Sequence, residues 1–433
     1  MNYYSHYDKT HPFLIVAFPM NTLESRPVPK RAKSFQHTRR FLPVLALLEK
    51  LLQQPIMMTE QQYQQLIDGL WQGDALMDAL VDWLFEDNTR QRKQLFEQAL
   101  HEGTASIKNC PDLLQQFFAH VETQPDWLDQ AQLQQAVAFM HSVGLNANYV
   151  LRDLALMGGY LLAGFNQALV MTGALNKGAS QRLAETSKWW MDCTAPQGLE
   201  RFSAGFKSTI HVRLIHALVR RNLHRKPEWN AEHWGLPICQ IDMAATNLAF
   251  CSLFLLGLRG LGIVPTRQES QAVMHFWKYL GWLMGVDPRW LVDCERDGHI
   301  LLYQSLFTQA APDWTSQALG SALSQEPLEK EFKRWQTLQR HYDYHKHLSI
   351  SRLFLSAQKM QQLGLPKYVL PWFPAFLIPQ NLMSYRIQRR LPVLKTWQQR
   401  RGRQAQLNYM ATFGKKGHKV IQPEKNHPAY IAS

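Results

Sequence analysis

Ser208-Thr-Ile-His-Val-Arg-Leu-Ile-His-Ala-Leu-Val-Arg-Arg221 decides how this chain is read. The stretch holds no Pro or Gly, and its aliphatic residues recur at helical spacing, which predicts one amphipathic helix. Arg213, His216 and Arg220 fall at i, i+3 and i+7, on a single face. A histidine flanked by two cations on an otherwise apolar helix is costly to bury unless something acidic or metallic meets it. Haem answers that description, because an imidazole nitrogen takes the iron axially and guanidinium groups pair with the propionates. The plainer reading of the same pattern is a core histidine between two surface arginines.

Outward from this helix, composition bounds the class. The 433 residues are 46% hydrophobic and 19% charged, which predicts an extensive buried interior. The net charge of +13 sits at the two ends. Residues 386–433 carry eleven Lys/Arg against one acid, and Arg26 to Arg40 carries six cations and no acid. Such termini suit an anionic surface, either lipid or nucleic acid. Five cysteines without a close pair read as reduced, buried thiols, and no apolar run near the N-terminus resembles an export signal. The expected location is cytoplasmic, peripheral at the inner face of a membrane.

The expected organisation is a basic arm over 1–40, a helical domain over 41–385 with its core near 140–300, and a basic tail over 386–433. From Phe41 to Leu151 the pattern is helical scaffold, beginning with a helix from Phe41. Leu154–Leu175 carries no charge and is expected as one buried helix whose glycines admit a second backbone or a flat ligand. Met243–Leu258 is expected as another core helix, and residues 366–380, with four prolines, as an irregular hydrophobic segment. No stretch alternates apolar and polar residues in a sustained way, so the fold class is all-α.

Arg182, Glu185 and Thr186 lie at i, i+3 and i+4 ahead of the key helix. Together with Arg213-Leu-Ile-His-Ala-Leu-Val-Arg220 and Trp229-Asn-Ala-Glu-His-Trp-Gly-Leu-Pro-Ile-Cys-Gln-Ile-Asp242, they resemble a known family. It is the haem-dependent oxygenase family that groups the latex-clearing (rubber) oxygenases with mpaB, the membrane-bound oxygenase of mycophenolic acid biosynthesis. The likeness continues through Thr246, Phe250, Gly257–Gly262 and Trp277. The resemblance implies a single large helical domain with a globin-like core holding haem b, and extra helices at both ends. It implies His216 as the proximal iron ligand, with Arg213 and Arg220 binding the cofactor or shaping its surroundings. Arg182, Glu185, Thr186 and Asn166 would lie at the catalytic side of the pocket. Two positions depart from the family: Glu185 stands where rubber oxygenases carry a lysine, and Asn166 where they carry a glutamate proposed as a base. An amide cannot take a proton at neutral pH.

The function expected is oxygenation, with O2, of a hydrophobic unsaturated lipid or isoprenoid. The rival from another class is a haem-binding or gas-sensing protein without turnover. A nucleic-acid binder read from the basic tail is a weaker rival, given the aromatic-rich body. His341, His345 and His347 have metal-like spacing but no carboxylate or cysteine partner at a recognisable spacing, and read as a solvated basic face. His211 lies off the His216 face, whereas His224 and His233 stand close enough in sequence to approach the pocket. No P-loop, dinucleotide glycine pattern or hydrolase nucleophile motif is present.

Overall fold

The computed structural model describes residues 27–38, 49, 54–173, 175, 178–388 and 392–414. Among them the secondary structure is helical, and no strand occurs. The N-terminal scaffold is built from α1 (Glu60–Gly69), α2 (Ala75–Glu86), α3 (Thr89–Glu102), α4 (Asp112–Glu122) and α5 (Gln130–Ser142). Their starts follow from local chemistry. Thr59 and Gln62 form a capping box on α1, and Asp74 and Asp129 accept from the first free amides of α2 and α5.

The centre holds α6 (Leu145–Val150), which runs on through a π-helical turn, Leu151–Leu156, then α7 (Ala163–Met171), α8 (Ala179–Cys193) and α9 (Ala204–His224). After these come α10 (Gln240–Phe250), α11 (Ser252–Gly260), α12 (Arg267–Leu283), α13 (Glu295–Ser305), α14 (Trp314–Gln325), α15 (Gln336–Phe354), α16 (Trp372–Gln388) and α17 (Pro392–Ala411). α5 is clasped between α12 and α17, and α9 lies along α2 on one side and α8 on the other. A large core unites α1–α5 with α9–α12. A smaller one gathers Met157, Tyr160, Leu183, Leu319 and Leu348 around α14 and α15.

Several expectations about individual segments are corrected. Leu154–Leu175 is not one helix: α6 and α7 meet at a 92° bend around Tyr160–Leu162. Met243–Leu258 divides at Cys251, whose φ of −113° and ψ of −81° separate α10 from α11. Residues 366–380 are not irregular throughout, because α16 begins at Trp372 and carries Pro379 inside it. A proline removes one helical hydrogen bond but leaves the remaining ladder intact. The helix expected from Phe41 lies almost wholly outside the described residues.

Both termini are partly folded into the body. Residues 30 and 31 donate backbone hydrogen bonds to Glu232 and His233, and the Arg31 side chain is buried. α17 docks through Gln406, which donates to the Met140 and Gly144 carbonyls, and through Arg403, which donates to the Met191 carbonyl. The five cysteines are free, as expected, but Cys110 and Cys294 are only half-buried.

Candidate functional site

α9 is fixed by two buried ion pairs. Arg213 donates from Nε and Nη2 to Asp74 (2.5 and 2.8 Å) and from Nη1 to the Leu283 carbonyl at 3.1 Å. Its guanidinium also lies over the Phe117 ring. Asp74 caps α2 at the same time, so one carboxylate joins the start of α2 to the middle of α9. Gly285 closes over this pair with φ +83°, where a Cβ would stand 2.2 Å from the Asp74 carboxylate. One face-turn on, Arg220 binds Asp78 at 2.5 Å and the Ile238 carbonyl through two nitrogens. Burial raises Asp78 to about 6, against the pull of Arg220. Gln240 completes the frame by donating to the Gly73 and Gly285 carbonyls and accepting from the Asp287 amide. The two arginines are thus paired with carboxylates of the scaffold.

His216, between them, is treated in the opposite way. Its ring makes no hydrogen bond among the described residues, and Nδ1 is enclosed without a partner. The residue is half-buried, which leaves the Nε2 side as its accessible edge. Burial, followed by the charge of Arg220, lowers its pKa to about 4, so the imidazole is neutral at physiological pH. A neutral imidazole is the ligating form. Buried polar atoms in native proteins are nearly always paired, so the unpaired ring between two satisfied arginines is a departure that asks for a partner.

The opposite wall follows from the register of α8 against α9. Trp189 donates to Thr209 at 3.1 Å, and the Cys193 thiol lies 3.7 Å from the Gly205 carbonyl. At Gly205 the helices touch, since a Cβ there would stand 2.7 Å from the Asp192 carbonyl and from the Cys193 Cα. Carried one and two turns onward, this antiparallel register sets Thr186 level with Val212, and Arg182 level with His216. Trp189 and Trp190 are buried, whereas Thr186 is exposed and Arg182 half-buried. The α8 side chains at the Trp189 end are therefore buried, whereas Arg182 and Thr186 reach solvent at the other end.

α10 supplies the third side. Phe250 meets Trp189 edge-on at 5.5 Å and stacks on Trp277 at 4.7 Å, forming an aromatic floor. Met243 lies against Arg220. Between those two contacts Thr246 is exposed, although α10 is otherwise mostly buried. By this register Arg182 and Thr186 on α8 fall at adjoining levels with His216 on α9, and Thr246 of α10 lies between that helix's contacts to Arg220 and to the Trp189–Phe250–Trp277 aromatic cluster.

The remaining candidates separate. Arg182 makes no hydrogen bond or ion pair among the described residues, and its charge is felt at the buried phenol of Tyr160. Glu185 turns to Gln181 at 2.8 Å instead of pairing with Arg182. Asn166 is fully buried and donates to the Tyr160 carbonyl and Ser316, leaving its carbonyl oxygen unpaired. It pins the bend between α6 and α7. His211 binds Glu97, and His224 is exposed. His341 and His345 are exposed as expected, but His347 is buried against Asp153 at 2.7 Å, contrary to a solvated face. Among the described residues no three His, Cys, Asp or Glu side chains converge as a metal cage.

Sequence reading missed the partners that make the frame. Asp74 and Asp78 look like ordinary acids of a scaffold helix. The Arg31–Asp242 pair, at 2.9 and 3.0 Å with Gln309 donating to the same carboxylate, joins positions 211 apart. Thr246 was visible only as part of the resemblance, with no task attached.

Comparison with known proteins places this geometry. Residues 142–378 match the family model described as ER-bound oxygenase mpaB/B'/Rubber oxygenase, catalytic domain. A rubber oxygenase of Streptomyces sp. (strain K30) is 22% identical over 224 residues, which cover 51% of this chain and 54% of that protein. The chain thus matches about half the length of that relative. The latex clearing protein LCP, solved in a closed state, superposes with a TM-score of 0.52 at 16% identity, over 81% of this chain and 93% of that one. That likeness is one of fold.

Proposed function

Because this chain belongs to the mpaB/rubber oxygenase family, we propose that it is a haem-b oxygenase that uses O2 on a hydrophobic, unsaturated lipid or isoprenoid substrate. The observation that carries the reading is His216: a neutral, half-buried imidazole with no hydrogen-bond partner among the described residues, on a helix that packs against the Trp189–Phe250–Trp277 aromatic cluster. We read Arg182, Thr186 and Thr246 as the rim of an opening beside it. A lone histidine fits an iron whose equatorial ligands come from a macrocycle. When bound, haem would supply O2 binding and oxidising chemistry that no side chain here provides.

The protein's own contributions follow from the residues around the opening. His216 would hold the iron through a ring nitrogen, and it stays unprotonated because burial and Arg220 oppose its charge. Asp74 and Asp78, through Arg213 and Arg220, hold α9 against rotation and so fix the direction of that nitrogen. Arg182, which carries no ion pair among the described residues, would pair with an anionic group of cofactor or substrate. Thr186 and Thr246 offer hydroxyls at the rim, and Trp189, Phe250 and Trp277 keep the base dry. Glu185 and Asn166 do not reproduce a lysine cap and a carboxylate base, so any proton transfer at this opening is expected to use other groups or water.

Absorption spectra of protein expressed with haem supplied, wild type beside His216→Ala, test the assignment. A Soret band of histidine-ligated character that is lost or shifted in the variant supports it. A colourless wild type, or an unchanged band in the variant, removes it. Oxygen consumption with an isoprenoid or unsaturated lipid then separates turnover from haem binding alone.

A further inference from the structure

α16 is amphipathic in an unusual sense, because both of its faces are apolar. Pro374, Leu377, Asn381 and Tyr385 face inward, and Asn381 donates to the Leu261 carbonyl to hold the helix on the body. The opposite face repeats at i, i+7 and i+11 with Phe376, Met383 and Ile387, which are 74%, 63% and 52% exposed. Flanking segments extend the patch. Tyr368 and Leu370 precede the helix at 86% and 80% exposure, and Val393 and Trp397 follow it on α17. A run of large apolar side chains of this extent marks a contact surface.

Its electrostatics name the partner. Between Asp343 and Glu424 the sequence holds fourteen Lys/Arg and no acid. Within the described residues, Lys367, Arg386, Lys395, Arg400 and Arg401 are exposed beside the apolar groups, and Arg401 lies over the Trp397 ring. By contrast, Arg403 of the same helix is turned inward to Met191 and Thr194. Interleaved cations, indole and phenol groups and long aliphatic side chains on one helix-built face match the anionic headgroup layer of a bilayer. Nucleic acid would use the cations but gives Phe376, Met383 and Ile387 nothing to meet.

We infer that the exposed face of α16, with the adjoining turn and the start of α17, is a docking surface for anionic lipid bilayers, lying in the headgroup region without crossing it. The inference stands on this surface alone and is independent of the oxygenase reading.

Flotation of the full-length chain with vesicles tests it. One set is phosphatidylcholine alone and the other is phosphatidylcholine mixed with an equal amount of phosphatidylglycerol. The wild type is expected to float with the anionic vesicles, and weakly or not at all with the neutral ones. Phe376→Gln, Met383→Gln and Ile387→Gln combined, all at exposed positions, should lower partitioning at least tenfold while leaving the thermal transition in place. Arg386→Gln, Arg400→Gln and Arg401→Gln combined should lower it too and flatten its salt dependence. Wild type that stays in solution, or an apolar variant that floats equally well, overturns the proposal. So does a wild type that dimerises through this face without binding vesicles, or that binds RNA with an affinity untouched by the apolar substitutions.

Discussion

Two histidines, His347 buried and His216 half-buried, mark two regions built on opposite terms. His347 lies in a cluster where Asp153 accepts from it, Arg152 bridges Asp153 and Glu326, and Lys330 and Lys346 answer Asp343. Charges of alternating sign are packed together there, and the π-helical turn of α6 brings Arg152 and Asp153 inside. His216 lies in a region where the neighbouring arginines are paired but the histidine itself is left alone. Burial depresses both imidazoles. Burial therefore does not distinguish a structural histidine from a ligand. What distinguishes them is whether the protein has already supplied the ring with a partner.

The strongest break of this comparison is His216→Ala. It is expected to abolish the haem Soret band, while stability of the cofactor-free protein shifts by no more than about 1.5 kcal/mol, because no protein hydrogen bond is lost. Thermal melts beside spectra check both halves. Asp153→Ala should do the reverse. Removing one partner of a buried ion network costs about 3–5 kcal/mol, whereas haem bound per folded molecule should be unchanged. If Asp153→Ala removes the haem and spares stability, the division between the regions is wrong.

Asp74→Asn tests the frame between these extremes. It leaves Arg213 buried opposite a neutral amide, and a loss of about 2–4 kcal/mol is expected by denaturant titration. A broadened Soret band should accompany it, as α9 loses the contact that fixes its rotation. Arg182→Met should be nearly silent in stability, within about 0.5 kcal/mol, because no ion pair is broken. It should lower turnover or substrate affinity, read as kcat and KM separately.

A pH titration gives the sharpest sign. The His216 pKa is lowered to about 4, so the folded state stays neutral while the unfolded chain takes a proton below about 6.5. Folded stability from this group therefore falls as pH drops from about 6.5 to 4, at up to about 1.4 kcal/mol per pH unit. His141, lowered to about 4 by burial and Arg403, acts in the same direction. Asp153, raised to about 7 by burial, acts in the opposite direction, since its protonated form favours the fold and is lost as pH rises through 7. In the holoprotein, the histidine-ligand band should survive below pH 6 and fade only nearer 4 to 5. His216→Ala should flatten the acid limb of the cofactor-free stability curve.

Sequence alone determined that the chain is helical, because apolar spacing at three and four residues is a local property of each segment. It also singled out Arg213, His216 and Arg220 as one face, since a helix fixes which residues share a side. It did not determine where helices break. Leu154–Leu175 and Met243–Leu258 are largely apolar, and the breaks at Tyr160–Leu162 and Cys251 leave no mark in that pattern. Nor did it determine what the two arginines do. Asp74 and Asp78 stand 139 and 142 residues away, and only tertiary packing carries them to α9. That packing decided which of these cations are satisfied, and among the described residues it leaves the His216 ring and the Arg182 guanidinium without a hydrogen-bond partner. A side chain's type and face are fixed locally, but whether its polar atoms are already answered depends on every element that packs against it.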